Sequence, residues 1–181
     1  MSGLQNVELT SSMEHLNAPR WYAVHTRAKH EKKVATELQQ RGVKAFLPVA
    51  REVRRWSDRR QIIEAPLFPC YVFVHTDLFF TPRMAVLQTA GVLRFVGFNQ
   101  GPVPIPDAQI EAVQVVLAKH LPVSSCGFIN VGEKVRIRGG ALDGVEGVLA
   151  GRNGERRLVI SIELIRQSMA VIVEGYDIER V

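Results

Sequence analysis

The 181-residue chain has few cysteines and no long apolar segment. Cys70 and Cys126 are the only two cysteines, and neither forms a Cys-x-x-Cys pair or a Cys/His ligand spacing, which argues against structural zinc and suits a reducing cytoplasm. No apolar run approaches the roughly 20 residues that span a bilayer. The N-terminus lacks the basic start and apolar core of a secretory signal. We therefore expect a soluble, cytoplasmic protein with a disordered lead over residues 1–19.

The sequence also lacks the short motifs of common enzymes. It contains no Gly-x-Ser-x-Gly, no phosphate-binding loop and no paired-carboxylate motif. His25, His30, His75 and His120 are scattered along the chain, with no motif-level partner for Cys70. We therefore predict that the protein is not an enzyme and uses no cofactor or metal.

Positive charge is in excess, and it is concentrated in one segment. The formal net charge is +5, yet residues 20–60 carry twelve Lys and Arg against four Asp and Glu, whereas residues 130–181 carry eight of each. Localised basicity favours a polyanionic partner, most often nucleic acid. The alternative for each basic cluster is a solvated helix face or a mobile loop.

The first two thirds of the chain alternate between strand and helix patterns. Residues 21–26 are apolar and predict a strand, after which Thr26 caps a helix over residues 28–41 that stops at Gly42. The later predicted elements are a strand kinked by Pro48 over 44–52, an arginine-rich hairpin over 53–63, strands over 70–74 and 92–98, and helices over 82–89 and 107–119. This order predicts a four-stranded antiparallel sheet with flanking helices, hence an α+β fold.

The stretch from Glu64 to Val74 organises this predicted sheet. Pro66 and Pro69 lack a backbone N–H, so regular hydrogen bonding begins at Cys70. The apolar run over residues 70–74 predicts a central strand that is covered on both faces. We predict that the ring of Phe68, which lies between the two prolines, is exposed near one edge of the sheet.

The pattern changes after residue 119. Residues 120–129 contain Pro, Ser and Gly without periodicity and are interpreted as a linker. Residues 130–181 contain short β-runs separated by glycine turns, which favours a small β-barrel because closure removes exposed sheet edges. The predicted domains are therefore residues 20–119 and 130–181.

Several runs of the sequence carry a family resemblance. In the first predicted domain they are Trp21-Tyr22, Leu67-Phe68-Pro69-x-Tyr71-Val72-Phe73-Val74, Gly91-Val92-Leu93-Arg94-Phe95-Val96-Gly97 and Pro104-Ile105. Residues 131–148 are similar to a KOW motif through their Gly, Val and Ile spacing. Together these runs resemble transcription elongation factors of the NusG type, in which an NGN domain precedes an SH3-like KOW barrel.

The resemblance implies a factor that binds the clamp helices of the largest RNA polymerase subunit and suppresses pausing or termination. The positions that match the apolar docking depression are His25, Phe68, Pro69, Tyr71 and Phe73. The positions that match upstream or non-template DNA contacts are Arg27, Lys33, Arg41 and Thr89. Charge and hairpin patterns add to this nucleic-acid set Lys29, Arg54, Arg55 and Arg59.

The barrel sequence favours a specialised paralog of the UpxY or RfaH type. Residues 165–171 are similar to a run of such paralogs, so we expect action at particular operons. Glu163, Leu164 and Ile165 stand where the general factor presents a phenylalanine to a small-subunit ribosomal protein or to Rho, which leaves both partnerships open. Residues 158–162 have strong strand propensity, which predicts a stable barrel. The alternative function is a ribosome-associated or RNA-binding KOW protein.

Overall fold

A computed structural model describes residues 18–55, 60–99, 101–129, 132–152 and 155–181. The chain forms two compact units, the first comprising the chain up to Leu47 with Cys70–Ile105 and the second Pro48–Pro69 with Pro106–Val181. Within the described ranges no helix has the length and apolar character that a membrane crossing requires.

The described elements follow one another in a mixed order of strands and helices. As far as residue 105 they are β1 (Arg20–Thr26), α1 (Glu31–Gln40), β2 (Lys44–Phe46), β3 (Val49–Arg55), β4 (Arg60–Pro66), β5 (Tyr71–Thr76), α2 (Phe80–Leu87), β6 (Val92–Phe95), β7 (Gly97–Phe98), β8 (Gly101–Pro102) and β9 (Pro104–Ile105). They continue with α3 (Asp107–Ala118), β10 (Val123–Gly127), β11 (Glu133–Arg138), β12 (Glu146–Arg152), β13 (Glu155–Ile162), β14 (Gln167–Ile172) and β15 (Asp177–Arg180). Short 3₁₀ turns lie at Gly140–Leu142 and Glu163–Ile165.

The sheet of the first unit is antiparallel and has the order β2-β5-β1-β6, with β9 also paired to β1. The predicted central strand is confirmed, since β5 lies between β2 and β1 and Val72, Phe73 and Val74 are fully buried. The predicted strand over 92–98 is interrupted at Val96, after which β7 pairs with β8. The predicted α+β fold class is confirmed.

Helix α1 packs its inner face on this sheet. Val34 and Leu38 lie in one buried cluster with side chains from one face of β1 and β5, namely Tyr22, Val24, Val72 and Val74. The helix begins at Glu31, later than predicted, because Thr26 stays in β1 and does not cap it. Gly42 follows the helix at φ +78°, a left-handed conformation that glycine adopts without steric cost, so the predicted stop is confirmed.

Pro48 divides the predicted strand over 44–52 into two strands of different sheets. β2 pairs with β5 in the first unit, whereas β3 pairs with β4 in a two-stranded hairpin of the second unit. The Leu67 N–H donates to the Pro48 carbonyl at 2.9 Å and closes the base of this hairpin. The predicted hairpin is confirmed, and its turn at residues 56–59 lies outside the described residues.

The second unit also holds α3 and a six-stranded antiparallel sheet in the order β10-β14-β13-β12-β11-β15. The interpretation of residues 120–129 as a linker is wrong over Val123–Gly127, which forms β10 and pairs with β14. β10 is an edge strand, which pairs on one side only and leaves most of its side chains exposed or half-buried. Such a strand does not need the apolar alternation by which a strand is predicted from sequence. The domain division 20–119 and 130–181 stays a prediction.

Candidate functional site

Two rings project from neighbouring strands at one end of the first sheet. His25 on β1 and Tyr71 on β5 are partners in the strand register, and their ring centroids lie 5.2 Å apart at an interplanar angle of 32°. Both residues are half-buried, so part of each side chain is accessible. Rigid aromatic surface of this kind is typical of binding hot spots.

The turn before Tyr71 is fixed by hydrogen bonds to both the N–H and the carbonyl of Cys70. Cys70 has φ +68°, a conformation that residues with a Cβ rarely adopt. Its N–H donates to the Glu31 carboxylate (Oε1) at 2.8 Å, and its carbonyl accepts from the Thr26 N–H at 2.8 Å. Glu31 is only 5% exposed. The direction in which the chain enters β5 is therefore set by contacts from β1 and α1.

The same sheet face continues into an aromatic cluster. Trp21 contacts His75 with a centroid distance of 5.0 Å, Phe46 contacts Phe73 at 6.3 Å, and the Lys44 ammonium lies 5.4 Å from the Trp21 ring centroid. Phe73 is fully buried. Of the predicted docking positions in this unit, His25 and Tyr71 present surface and Phe73 does not.

The predicted exposure of Phe68 is wrong. Its relative exposure is 0%, and that of Leu67 is 1%. The two prolines restrict the backbone around this apolar pair, and both side chains turn inward while Pro69 is exposed. Phe68 and Pro69 belong to the second unit.

The predicted basic surface is partly present in the first unit. Arg27 and Lys29 are exposed in the loop between β1 and α1, and Lys33 is exposed on α1. The Arg27 N–H donates to the Gly91 carbonyl at 2.8 Å, which fixes this loop. Arg41 is exposed but forms an ion pair with Glu37 at 2.8 Å. Both acids of α1 have partners elsewhere, Glu31 at the Cys70 N–H and Glu37 at Arg41, so within the described residues neither forms an ion pair with Arg27, Lys29 or Lys33.

The remaining predicted nucleic-acid positions differ in their placement. Thr89 is 2% exposed, and its hydroxyl donates to the Ala85 carbonyl at 2.9 Å, so it lies under the surface. Arg54 and Arg55 lie on β3. Arg59 lies outside the described residues.

Three ion pairs link charged side chains on the six-stranded sheet of the second unit. Arg136 pairs with Glu146, Arg138 with Glu179, and Arg180 with Glu133. The hydrogen bond and charge of Glu146 raise the pKa of Arg136. Within the described ranges, no group of three or more His, Cys, Asp or Glu side chains is placed to hold a metal ion.

Sequence reasoning missed Glu31. In the sequence, Glu31 is the first acid of an otherwise basic segment. This position does not indicate its partner, the N–H of Cys70, which lies 39 residues away. The described residues form an α+β unit, with a pair of half-buried rings at one end of its sheet, and a second unit dominated by an antiparallel sheet.

Comparison with known proteins places this architecture in a family. Residues 19–114 match the family model described as transcription termination factor NusG. The termination/antitermination protein NusG of Borreliella burgdorferi is 27% identical over 89% of this chain and 98% of its own length. NusG of Lactococcus lactis is 26% identical over 88% of this chain and 91% of its own. A solved structure of Thermotoga maritima NusG matches with a TM-score of 0.53 and 22% identity, covering 92% of this chain and 99% of that one, which shows a shared fold.

The chain belongs to the NusG family of transcription termination and antitermination factors. The family resemblance found in the sequence is therefore confirmed. The curated relatives are named for transcription termination and antitermination and not for a catalysed reaction.

Proposed function

We propose that the protein is an elongation and antitermination factor that docks on RNA polymerase through the end of the sheet that carries His25 and Tyr71. The half-buried ring pair is the observation that carries this proposal, together with family membership. Its occupant would be the clamp helices of the largest subunit, whose apolar side chains can bury the accessible parts of both rings. Bound in this way, the factor suppresses pausing or termination.

The other predicted docking positions have different roles in this proposal. Phe68 and Phe73 are fully buried, so they act by packing and not by direct contact. Pro69 is exposed and stays a predicted contact. The affinity for polymerase therefore depends most strongly on the two rings that present surface.

The test compares two histidines that lie on one face of the first sheet. The His25 ring contacts Tyr71, whereas the His75 ring contacts Trp21. His75 lies on β5 four residues after Tyr71, about 13 Å away at the rise of a strand. We expect His25→Ala in the full-length protein to weaken binding to core RNA polymerase at least about tenfold, and His75→Ala to have a much smaller effect. Thermal unfolding of both variants controls for loss of fold. Unchanged affinity of a folded His25→Ala variant would remove the docking assignment.

We further propose that Arg27, Lys29 and Lys33 contact upstream or non-template DNA. All three are exposed, and the Glu37 carboxylate leaves Arg41 the weaker candidate. Each lost phosphate contact reduces the dependence of log K on log salt by about 0.7 to 0.9. Lys33→Gln should therefore lower the salt slope of DNA binding by roughly this amount. Lys134 is an exposed lysine of β11, and Lys134→Gln is the matched control that should leave the slope unchanged.

Operon-specific action is proposed from the similarity of residues 165–171 to specialised paralogs. The alternative of an RNA-binding barrel is not favoured, because Arg136, Arg138 and Arg180 already pair with carboxylates. Measuring readthrough at the factor's own operon and at an unrelated one tests the specificity: equal effects at both would contradict it.

A further inference from the structure

Glu31 stands out among the charged side chains that the structure describes, because it alone is buried. A buried carboxylate loses hydration and persists only where hydrogen bonds replace it. Here the replacement is the N–H of Cys70, at 2.8 Å from Oε1. Glu31 is also the first residue of α1.

The residue that Glu31 holds is conformationally strained. Cys70 has φ +68° although it carries a Cβ, and such conformations persist only where the surroundings impose them. Its peptide groups are fixed on both sides, by Glu31 at the N–H and by Thr26 at the carbonyl. Removing the carboxylate leaves one of these two restraints.

The strained residue directly precedes Tyr71, and the pair His25 and Tyr71 ends the ladder between β1 and β5. Beyond this pair, the hydrogen bond from the Thr26 N–H to the Cys70 carbonyl is the backbone contact from β1 that holds the N-terminal side of Tyr71. If Cys70 relaxes to a negative φ, the chain enters β5 in a different direction and the Tyr71 ring leaves His25. In that case the geometry of the ring pair depends on Glu31, whose carboxylate accepts the Cys70 N–H.

We propose that Glu31 is a positioning residue for the docking surface: its carboxylate holds the left-handed turn at Cys70 and thereby sets Tyr71 against His25. This inference rests on the proposed docking function. It assigns to α1 a second task beside presenting positive charge, since its one buried acid shapes the surface formed by β1 and β5.

The test uses full-length protein and two readouts, the ring-proton NMR signals of His25 and the affinity for core RNA polymerase. Glu31→Ala should move the His25 signals, because the ring current of Tyr71 is lost, and should weaken polymerase binding about tenfold if one molecule in ten keeps the competent turn. Glu31→Gln keeps an acceptor oxygen and should stay within about threefold of wild type. Glu37→Ala is the matched control, since it removes the same charge from a half-buried carboxylate of α1 that pairs with Arg41, and should leave the His25 signals in place.

Rescue separates positioning from general stabilisation. Glycine adopts φ +68° without strain, so Cys70→Gly makes the carboxylate dispensable for the turn. In the Glu31→Ala background it should restore the His25 signals and bring the affinity to within about threefold of Cys70→Gly alone. Unmoved His25 signals in a folded Glu31→Ala variant, or a double variant without rescue, would overturn the inference.

The two proposals fail in different ways. If wild-type protein does not bind polymerase, the docking function is wrong, while the NMR comparison still decides whether Glu31 positions Tyr71. If Glu31→Ala does not fold, the double variant decides: wild-type-like His25 signals support the inference, and a second failure to fold overturns it.

Discussion

Replacing Phe68 by alanine tests whether this ring belongs to the core. The side chain has no exposed surface, so its removal loses the free energy of burying a phenylalanine and leaves a cavity. Together these terms lower the free energy of unfolding by about 3 to 5 kcal/mol. Phe98 is the matched control because its ring is 76% exposed on β7, and Phe98→Ala should change stability by no more than about 0.5 kcal/mol.

Urea unfolding followed by tryptophan fluorescence measures both variants. With a slope of about 1 to 3 kcal/mol per molar urea, the Phe68→Ala midpoint should fall by at least about 1 M. A loss below about 1 kcal/mol, close to that of Phe98→Ala, would refute the core assignment and return Phe68 to the exposed docking role that the sequence predicted. If the core assignment holds, a weakened polymerase affinity of Phe68→Ala reports loss of fold and not loss of a contact.

Three further expectations concern turns, strands and a thiol. Gly147→Ala should lower stability by about 1 to 3 kcal/mol, because a Cβ there would lie 2.6 Å from the Val159 carbonyl oxygen. A Cβ at Gly151 on the same strand meets no atom within 4 Å, so Gly151→Ala should be close to neutral. Thermal unfolding of the two variants checks this difference. Cys70→Gly should raise the unfolding midpoint, by roughly 0.5 to 1 kcal/mol of stability, because relief of left-handed strain exceeds the added entropy of the unfolded chain; a lower midpoint would contradict the strain. Burial raises the pKa of Cys126, and the charge of Arg157 opposes this shift, so the native state keeps the thiol proton to higher pH. The stability from this group is present below the unfolded pKa and is lost as pH rises through the folded pKa. Alkylation of Cys126 at pH 8 should therefore be slower in the native than in the denatured protein.

Local patterns predicted the elements whose signals are local. The apolar run before Thr26, the left-handed stop at Gly42 and the helical spacing after Asp107 correspond to β1, the end of α1 and α3. The central position of β5 also followed from its uniform apolar character. In each case neighbouring residues determine the outcome through backbone sterics and burial.

The errors concern features that depend on distant partners. β10 pairs with β14 about forty residues later, and nothing in its own sequence distinguishes an edge strand from a linker. The inward turn of Phe68 and the contact between Glu31 and Cys70 likewise require the tertiary fold. The candidate site was predicted as a set of residue types, whereas which rings present surface could come only from burial.

The alternation of the chain between its two compact units has a consequence for synthesis. The boundaries fall after Leu47, Pro69 and Ile105, so each unit is assembled from two separate stretches of sequence. On the ribosome, the first sheet lacks β5 and β6 until the hairpin of β3 and β4 has already emerged, and that hairpin must wait for the last strands to complete its own unit. Nascent chains should therefore stay susceptible to proteases and chaperones until late in translation, and a truncation at residue 119 separates α3 from β13, against which it packs.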